Sequence, residues 1–388
     1  MASFQTQFDE VRKLIDYEDF TLLTKRIIDF TLDTGNLEFY KRTVDFLDWL
    51  DAGQKNTEEA KERYIAILDG LYKELSTKSE VYDSASPVLS VFNLIKSYKK
   101  SSFALGPISF DIREGGEIVG LVGENGNGKT TLLRSLCGEL QPTSGEIKYL
   151  FPYKNGYDLR SKLIYIPQRT SSWQGSLLSN LRFTAATYGI TGDENILIVE
   201  LIIARMGLRK FRAYAWKSLS SGYKMRFELA RALLRKPKLL LIDEPLANLD
   251  ILAQQVVLDD FRDIARSPFR PLGIVLSSQQ LYEVEKASDN VIFLKNGAPR
   301  NLTADTGVTY QEIPKLIIEF ESEWSQDQLR ESLNAFGLEK LQINGGTYVA
   351  SFPDNISQND FLHKVLEAGI PINYFRNISN STRRFFLS

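Results

Sequence analysis

Residues 123–130 read GENGNGKT, and they stand between an apolar run, IVGLV, and a helical pattern beginning TLLRSL. The octapeptide satisfies G-x-x-x-x-G-K-[ST] in full, and a strand before it with a helix after it is the setting in which that pattern wraps phosphate. The constraint on the fold is severe. The strand must be buried, its carboxyl end must open onto a helix N-terminus, and Gly123, Gly126 and Gly128 must let the backbone curl without side-chain clash. Backbone N–H groups and the helix N-terminus then present partial positive charge. Lys129 is expected to bridge β- and γ-phosphates and Thr130 to hold Mg²⁺. Asn125 and Thr131 belong to the same expected ATP-binding set.

A second run, LLLIDE at 239–244, ends a stretch of aliphatics abruptly in two acids. A parallel strand buried on both faces reads this way, with ligands at its carboxyl end. Asp243 is expected in the Mg²⁺ shell, and Glu244 as the base that orients or deprotonates water. Around these motifs, from 85 to 305, strand-like runs alternate with helical patterns, which predicts a mainly parallel α/β sheet.

The flanks differ. Residues 1–84 carry apolar positions at three- and four-residue spacing, predicting an all-α unit of four helices or two helical hairpins. A turn is expected at Asp33–Asn36, and Asn56 as a helix cap with Glu59 behind it. That unit reads as a packing or dimerisation module, or a docking site for a partner. Residues 306–388 read β-α-β-β-α-β, the order of a ferredoxin-like α+β domain, with a hairpin around Gly345–Gly346.

Composition excludes several classes. A net charge of −2 and a pI near 5.8 lack the basic excess of a nucleic-acid binder. The single cysteine, Cys137, rules out an internal disulfide framework and reads as a structural thiol. No run approaches the ~18 apolar residues of a membrane span, and the first residues lack the pattern of a signal peptide.

LSSGYK at 219–224 is a second phosphate-type turn opening a helix. With these residues in hand, positions 90–300 resemble the ATP-binding subunits of ABC transporters, the motifs falling in that family's order. The resemblance implies that LSSGYK is the signature turn, with Ser220 and Gly222 contacting the γ-phosphate held by a partner subunit. Ser221 and Tyr223 depart from the family's glycine and glutamine. It implies that Tyr98 stacks on adenine, with Phe103 as the nearby alternative. Gln168 would contact Mg²⁺ and the attacking water and link to a membrane partner, and Asp250, in ANLD, would lie on the loop crossing the dimer interface. Trp173 either lines a groove for that partner or fills the helical subdomain. At Gln279 the family places a histidine that senses γ-phosphate. The only histidine here is His363, read as structural on its helix. A slower ATPase is expected, with Glu244 and Gln279 as its catalytic residues.

The implied function is an ATP-hydrolysing subunit of an export-type transporter. It pairs as a homodimer, or with a related subunit, around two ATPs, and acts on a separate transmembrane permease at the cytoplasmic face of the membrane. ATP and Mg²⁺ are the expected cofactors, and no nucleic acid is expected. The alternatives are a soluble ABC ATPase acting on ribosomes or DNA, and a hydrolysis-poor regulatory ABC protein.

Overall fold

The computed structural model describes residues 4–53, 57–78, 86–99, 103–113, 115–247, 249–267, 269–300, 316–344 and 346–379. The expected divisions near 84 and 305 and the expected cap Asn56 lie outside them, as do Asn248 and Gly345.

Four helices open the chain: α1 (Phe4–Asp16), α2 (Phe20–Thr34), α3 (Leu37–Asp51) and α4 (Thr57–Leu75). Asp19 starts α2 by accepting from the Leu22 N–H at 3.0 Å. Gly35, at φ 62°, ends it in the left-handed conformation, and Asn36 caps α3 at once, accepting from the Glu38 N–H at 2.9 Å. This is the turn expected at Asp33–Asn36. The bundle closes over Phe4, Phe8, Ile27, Phe30, Tyr64 and Leu68. Its second half is unusual, because α2 is buried on every side from Ile27 to Thr34. A helix buried all round has neighbours all round. Ile28 and Leu32 of α2, with Tyr40 and Leu47 of α3, belong to the core of the following α/β unit rather than to the bundle's own.

That unit contains β1 (Pro87–Ser97), β2 (Ala104–Arg113), β3 (Ile118–Val122), α5 (Lys129–Leu136), β4 (Ser144–Tyr149), α6 (Gly156–Lys162) and β5 (Leu163–Ile166). It continues through α7 (Leu177–Thr187), α8 (Gly192–Arg205), α9 (Ser221–Leu234), β6 (Leu239–Ile242), α10 (Ile251–Ala265), β7 (Gly273–Ser278), α11 (Leu281–Ala287), β8 (Asn290–Lys295) and β9 (Ala298–Arg300). The central sheet runs β5-β6-β7-β3-β8-β9, parallel except at β9. Its strands β3, β6 and β7 are buried at every position, which explains their unbroken aliphatic runs. A second, antiparallel sheet, β2-β1-β4, lies beside it. Helices α7 and α8 form an excursion between β5 and α9, and α2 and α3 pack on α8.

The last unit comprises β10 (Leu316–Glu321), α12 (Gln326–Asn334), β11 (Lys340–Asn344), β12 (Thr347–Phe352), α13 (Gln358–Ala368) and β13 (Tyr374–Asn377). Its antiparallel order, β11-β12-β10-β13, is that of a ferredoxin-like sheet. Capping boxes at Ser325–Gln328 and Ser357–Asp360 start both helices. Phe320, Phe352 and Phe361 centre a core of its own. Arg376 lies 3.8 Å from Glu285 of α11. His363, read as structural, is exposed on α13. Phe361 and Val365 take the buried face of that helix. Among the described residues, no helix is long and apolar enough to cross a membrane.

Candidate nucleotide-binding site

The loop after β3 forms the cradle that its sequence predicts. Gly128 adopts φ 99°, and a Cβ there would lie 2.7 Å from Leu105 Cδ1 and 3.0 Å from Phe103 Cζ. At Gly123 a Cβ would sit 2.5 Å from the Leu294 carbonyl oxygen. Both glycines are therefore required by close packing, and Gly128 by its conformation as well. The cradle is pinned from outside by Asn127, whose Oδ1 accepts from the Asn296 N–H at 2.9 Å. A cavity of about 300 Å³ opens over the loop, and Asn125, Gly126, Lys129, Thr130, Thr131, Gln168 and Glu244 line it.

Lys129 is 5% exposed, and its Nζ donates to the Gly123 carbonyl at 2.6 Å. The same Nζ lies 3.1 Å from Glu244 Oε1, so the candidate base and the candidate phosphate-binding cation form a buried ion pair. Glu244 holds φ 50°, a left-handed conformation uncommon for a non-glycine residue. Its N–H donates to Ser277 Oγ at 3.0 Å, which helps hold the turn.

Asp243 gathers three hydroxyls. Thr130 Oγ1 donates to its Oδ2 at 2.7 Å, Ser277 Oγ to its Oδ1 at 2.6 Å, and the Tyr165 hydroxyl to Oδ2 at 3.3 Å. Burial and the nearby Asp243 charge push the Tyr165 phenol upward, so it stays a donor. Ser277 and Tyr165 escaped the reading of the sequence. Their one available signal is position: each lies at the carboxyl end of a strand flanking β6, level with LLLIDE. Asp243, Thr130 and Gln168 offer only oxygen ligands. One carboxylate beside a phosphate cradle is a donor set that fits Mg²⁺.

The remaining candidates are spread around this centre. Phe103, not Tyr98, lines the cavity. Tyr98 is 38% exposed, with Lys96 Nζ 5.5 Å from its ring centre. Gln279 is exposed just past the end of β7 and is not among the cavity's lining residues. Ser220 is the cap of α9, accepting from the Tyr223 N–H at 3.5 Å, and Gly222 faces Leu249 and Ala253. Asp250 caps α10 through the Ala253 N–H at 2.8 Å. These three lie on the α9 and α10 N-termini and do not line the cavity of their own chain. Trp173 packs against the main core, and it also lines a groove beside α9. Its Nε1 donates to Glu228 Oε1 at 2.8 Å, under the Arg231 guanidinium. Cys137 is half-buried, and burial pushes its thiol up to about 11, which leaves it unreactive.

Comparison with known proteins places these features in a family. The profile of the family described as ABC transporter matches residues 105–247. The uncharacterized ABC transporter ATP-binding protein YxlF of Bacillus subtilis is 34% identical, over 54% of this chain and 68% of that protein. The phosphonates import ATP-binding protein PhnC of Treponema denticola is 31% identical, over 54% of this chain and 87% of that protein. A putative export ATP-binding/permease protein of Rickettsia bellii is 30% identical, over 60% of this chain and 42% of that protein. Among solved structures, cbiO1 from Clostridium perfringens, part of the ABC transporter complex cbiONQ, superposes with a TM-score of 0.51 at 26% identity, over 55% of this chain and 87% of that one. The likeness extends over most of the length of two of these relatives and spans both the phosphate loop and the paired acids, and the chain accordingly belongs to the ATP-binding proteins of ABC transporters.

Proposed function

We propose that this chain hydrolyses ATP in a head-to-tail dimer and thereby drives a separate membrane permease, in the direction of export. One observation carries the hydrolytic part: Lys129, Thr130, Gln168 and Glu244 share one cavity, with Asp243 hydrogen-bonded to Thr130 at its floor. Backbone N–H groups of the loop and the Lys129 ammonium bind the β- and γ-phosphates. Thr130, Asp243 and Gln168 would hold Mg²⁺, which when bound neutralises charge on those phosphates. Phosphate competes with Glu244 for Lys129. A Glu244 carboxylate released from that pair is free to orient water against the γ-phosphorus.

The pairing is supported at the α9 and α10 N-termini. Ser220 and Gly222 lie away from the chain's own cavity on the positive end of a helix, where they suit a phosphate brought by another copy. Beside them Ile251 and Leu252 are 83% and 80% exposed, an apolar pair that association would cover. A two-fold pairing uses each surface twice and closes. Export is proposed on the ferredoxin-like domain that follows the ATPase unit, and a permease partner on the groove lined by Trp173 beside Gln168.

Phosphate release by the purified chain tests the hydrolytic reading. Magnesium-dependent turnover is expected, falling by about 10²–10³ or more in Glu244→Gln. Gln279→His is expected to raise turnover, because it supplies the chargeable group that the family resemblance implies at this position. Turnover of the parent no higher than that of Glu244→Gln would overturn hydrolysis and favour a regulatory ABC protein. Recovery of a multi-spanning protein in stoichiometric amounts with the tagged chain from solubilised membranes tests the permease.

A further inference from the structure

Arg205, the last residue of α8, is fully buried. Its Nε donates to Asp29 Oδ1 of α2 at 2.8 Å, and its Nη1 to Asp260 Oδ1 of α10 at 2.9 Å. Its Nη2 lies 3.6 Å from Asp263 Oδ2. Asp260, itself 1% exposed, also accepts from Lys25 Nζ of α2 at 2.8 Å. Its other oxygen faces Arg226 Nε of α9 at 3.9 Å. One buried cluster therefore joins α2, α8, α9 and α10, and the N-terminal bundle brings to it Lys25, Asp29 and Arg26, whose Nη1 lies 3.7 Å from Asp29 Oδ2.

Helices α9 and α10 carry at their N-termini the signature turn and the loop with Asp250. There the two helices approach closely, since a Cβ on Gly222 would lie 3.7 Å from Ala253 Cβ and 3.8 Å from Leu249 Cδ2. Further along, Arg226 and Asp260 supply a second point of contact. Two separated contacts set the angle between two rods, where one contact leaves a pivot. The second contact is ionic and buried, so its geometry depends on how Asp260 is shared among its cations. Buried ionic groups contribute little net stability against apolar replacements, but they can specify orientation.

We propose that Lys25 and Asp29 are positioning residues for the signature turn: by completing the charge cluster at Arg205 and Asp260, they let the N-terminal bundle set how α9 is presented to a second copy of the chain. Lys25 draws on Asp260, and Asp29 holds Arg205 away from competing for Asp260 alone. The site acted upon is remote from the phosphate loop of the same chain. Nucleotide affinity of the single chain is therefore spared, and pairing is not. This inference rests on the head-to-tail reading above.

The test uses the full-length chain with Glu244→Gln, which retains ATP. Dimerisation is followed by sedimentation velocity with Mg-ATP across a protein concentration series. ATP affinity is measured separately by equilibrium dialysis, below the dimerisation range. Asp29→Asn and Lys25→Gln are expected to weaken dimerisation by about 5- to 150-fold, the usual range of coupling between sites. Their single-chain ATP affinity is expected to stay within about twofold of the parent, and Lys25→Arg to restore pairing. Lys25 reaches solvent, with 22% of its side chain exposed, so Lys25→Gln carries the test if Asp29→Asn does not fold. Dimerisation unchanged in folded variants, or dimerisation and single-chain affinity falling together, overturns the inference. A parent that never dimerises with ATP overturns the head-to-tail reading as well, and so separates the two failures.

Discussion

Lys129 and Glu244 are 3.1 Å apart, and both side chains are largely buried. The phosphates of ATP need the same ammonium, and they bring several negative charges toward the same carboxylate. Neutralising Glu244 removes both the competitor and the repulsion. Glu244→Gln is therefore expected to bind ATP more tightly than the parent, by up to about tenfold or about 1.4 kcal/mol. Calorimetric titration of single chains at low protein concentration checks this, and equal affinities would mean that the pair does not oppose binding. At this scale the sequence was legible wherever a motif has fixed spacing. Gly123, Gly128, Lys129 and Thr130 could be named because neighbours in the chain are neighbours in the loop. Tyr165 and Ser277 could not, because each reaches the site from a neighbouring strand, and Phe103 stood only as an alternative to Tyr98. A tyrosine in IYIPQ reads as strand filler until β5 is laid beside β6 and its hydroxyl meets Asp243.

Among the elements, α2 joins two cores. Ile28 is fully buried against the α/β unit, while Ile27, one residue earlier, is fully buried in the bundle. Removing three carbons at Ile28 leaves a cavity in a close-packed seam. Ile28→Ala is expected to cost about 2–5 kcal/mol, and to lower the melting temperature of the ATPase unit with that of the bundle. Tyr17→Ala, at a site 75% exposed, is the control, with a change of about 0.5 kcal/mol or less. Urea unfolding followed both by Trp49 in the bundle and by Trp173 in the ATPase unit, each kept as the sole tryptophan, decides whether one transition reports both. The helix itself was legible from its spacing and from the turn at Asp33–Asn36 that ends it. Its second buried face was not, since Asp29 and Asp33 look like solvated charges until their cations are found on Arg205 and Arg270. Burial pushes the Asp33 carboxyl upward despite the Arg270 beside it, the mark of an acid placed inside by its surroundings.

For the molecule as a whole, the shared core and the Arg205 cluster predict that bundle and ATPase unit unfold together. The ferredoxin-like domain has a core made solely of its own residues and should unfold by itself. Scanning calorimetry of the full chain is expected to show a large transition for the first two units and a smaller one for the last. A separate transition of the bundle would contradict this arrangement, and so would a single transition for the entire chain.

What the sequence determined by itself was local. It specified a phosphate loop between strand and helix, paired acids closing a buried strand, helices in the segments at each end, and the β-α-β-β-α-β order whose strands do form a ferredoxin-like sheet. Each follows from spacing along the chain, because hydrogen bonds, caps and glycine conformations act over a few residues. Only the tertiary structure decided that the N-terminal helices are built into the ATPase unit and that Phe103 rather than Tyr98 borders the cavity. It also brought Lys25, Asp29, Arg205, Arg226 and Asp260, distant in sequence, into one charge cluster. The physical reason is that charge pairing and packing act through space, and a lone Lys or Asp on a helix carries no mark of the partner that folding will bring to it.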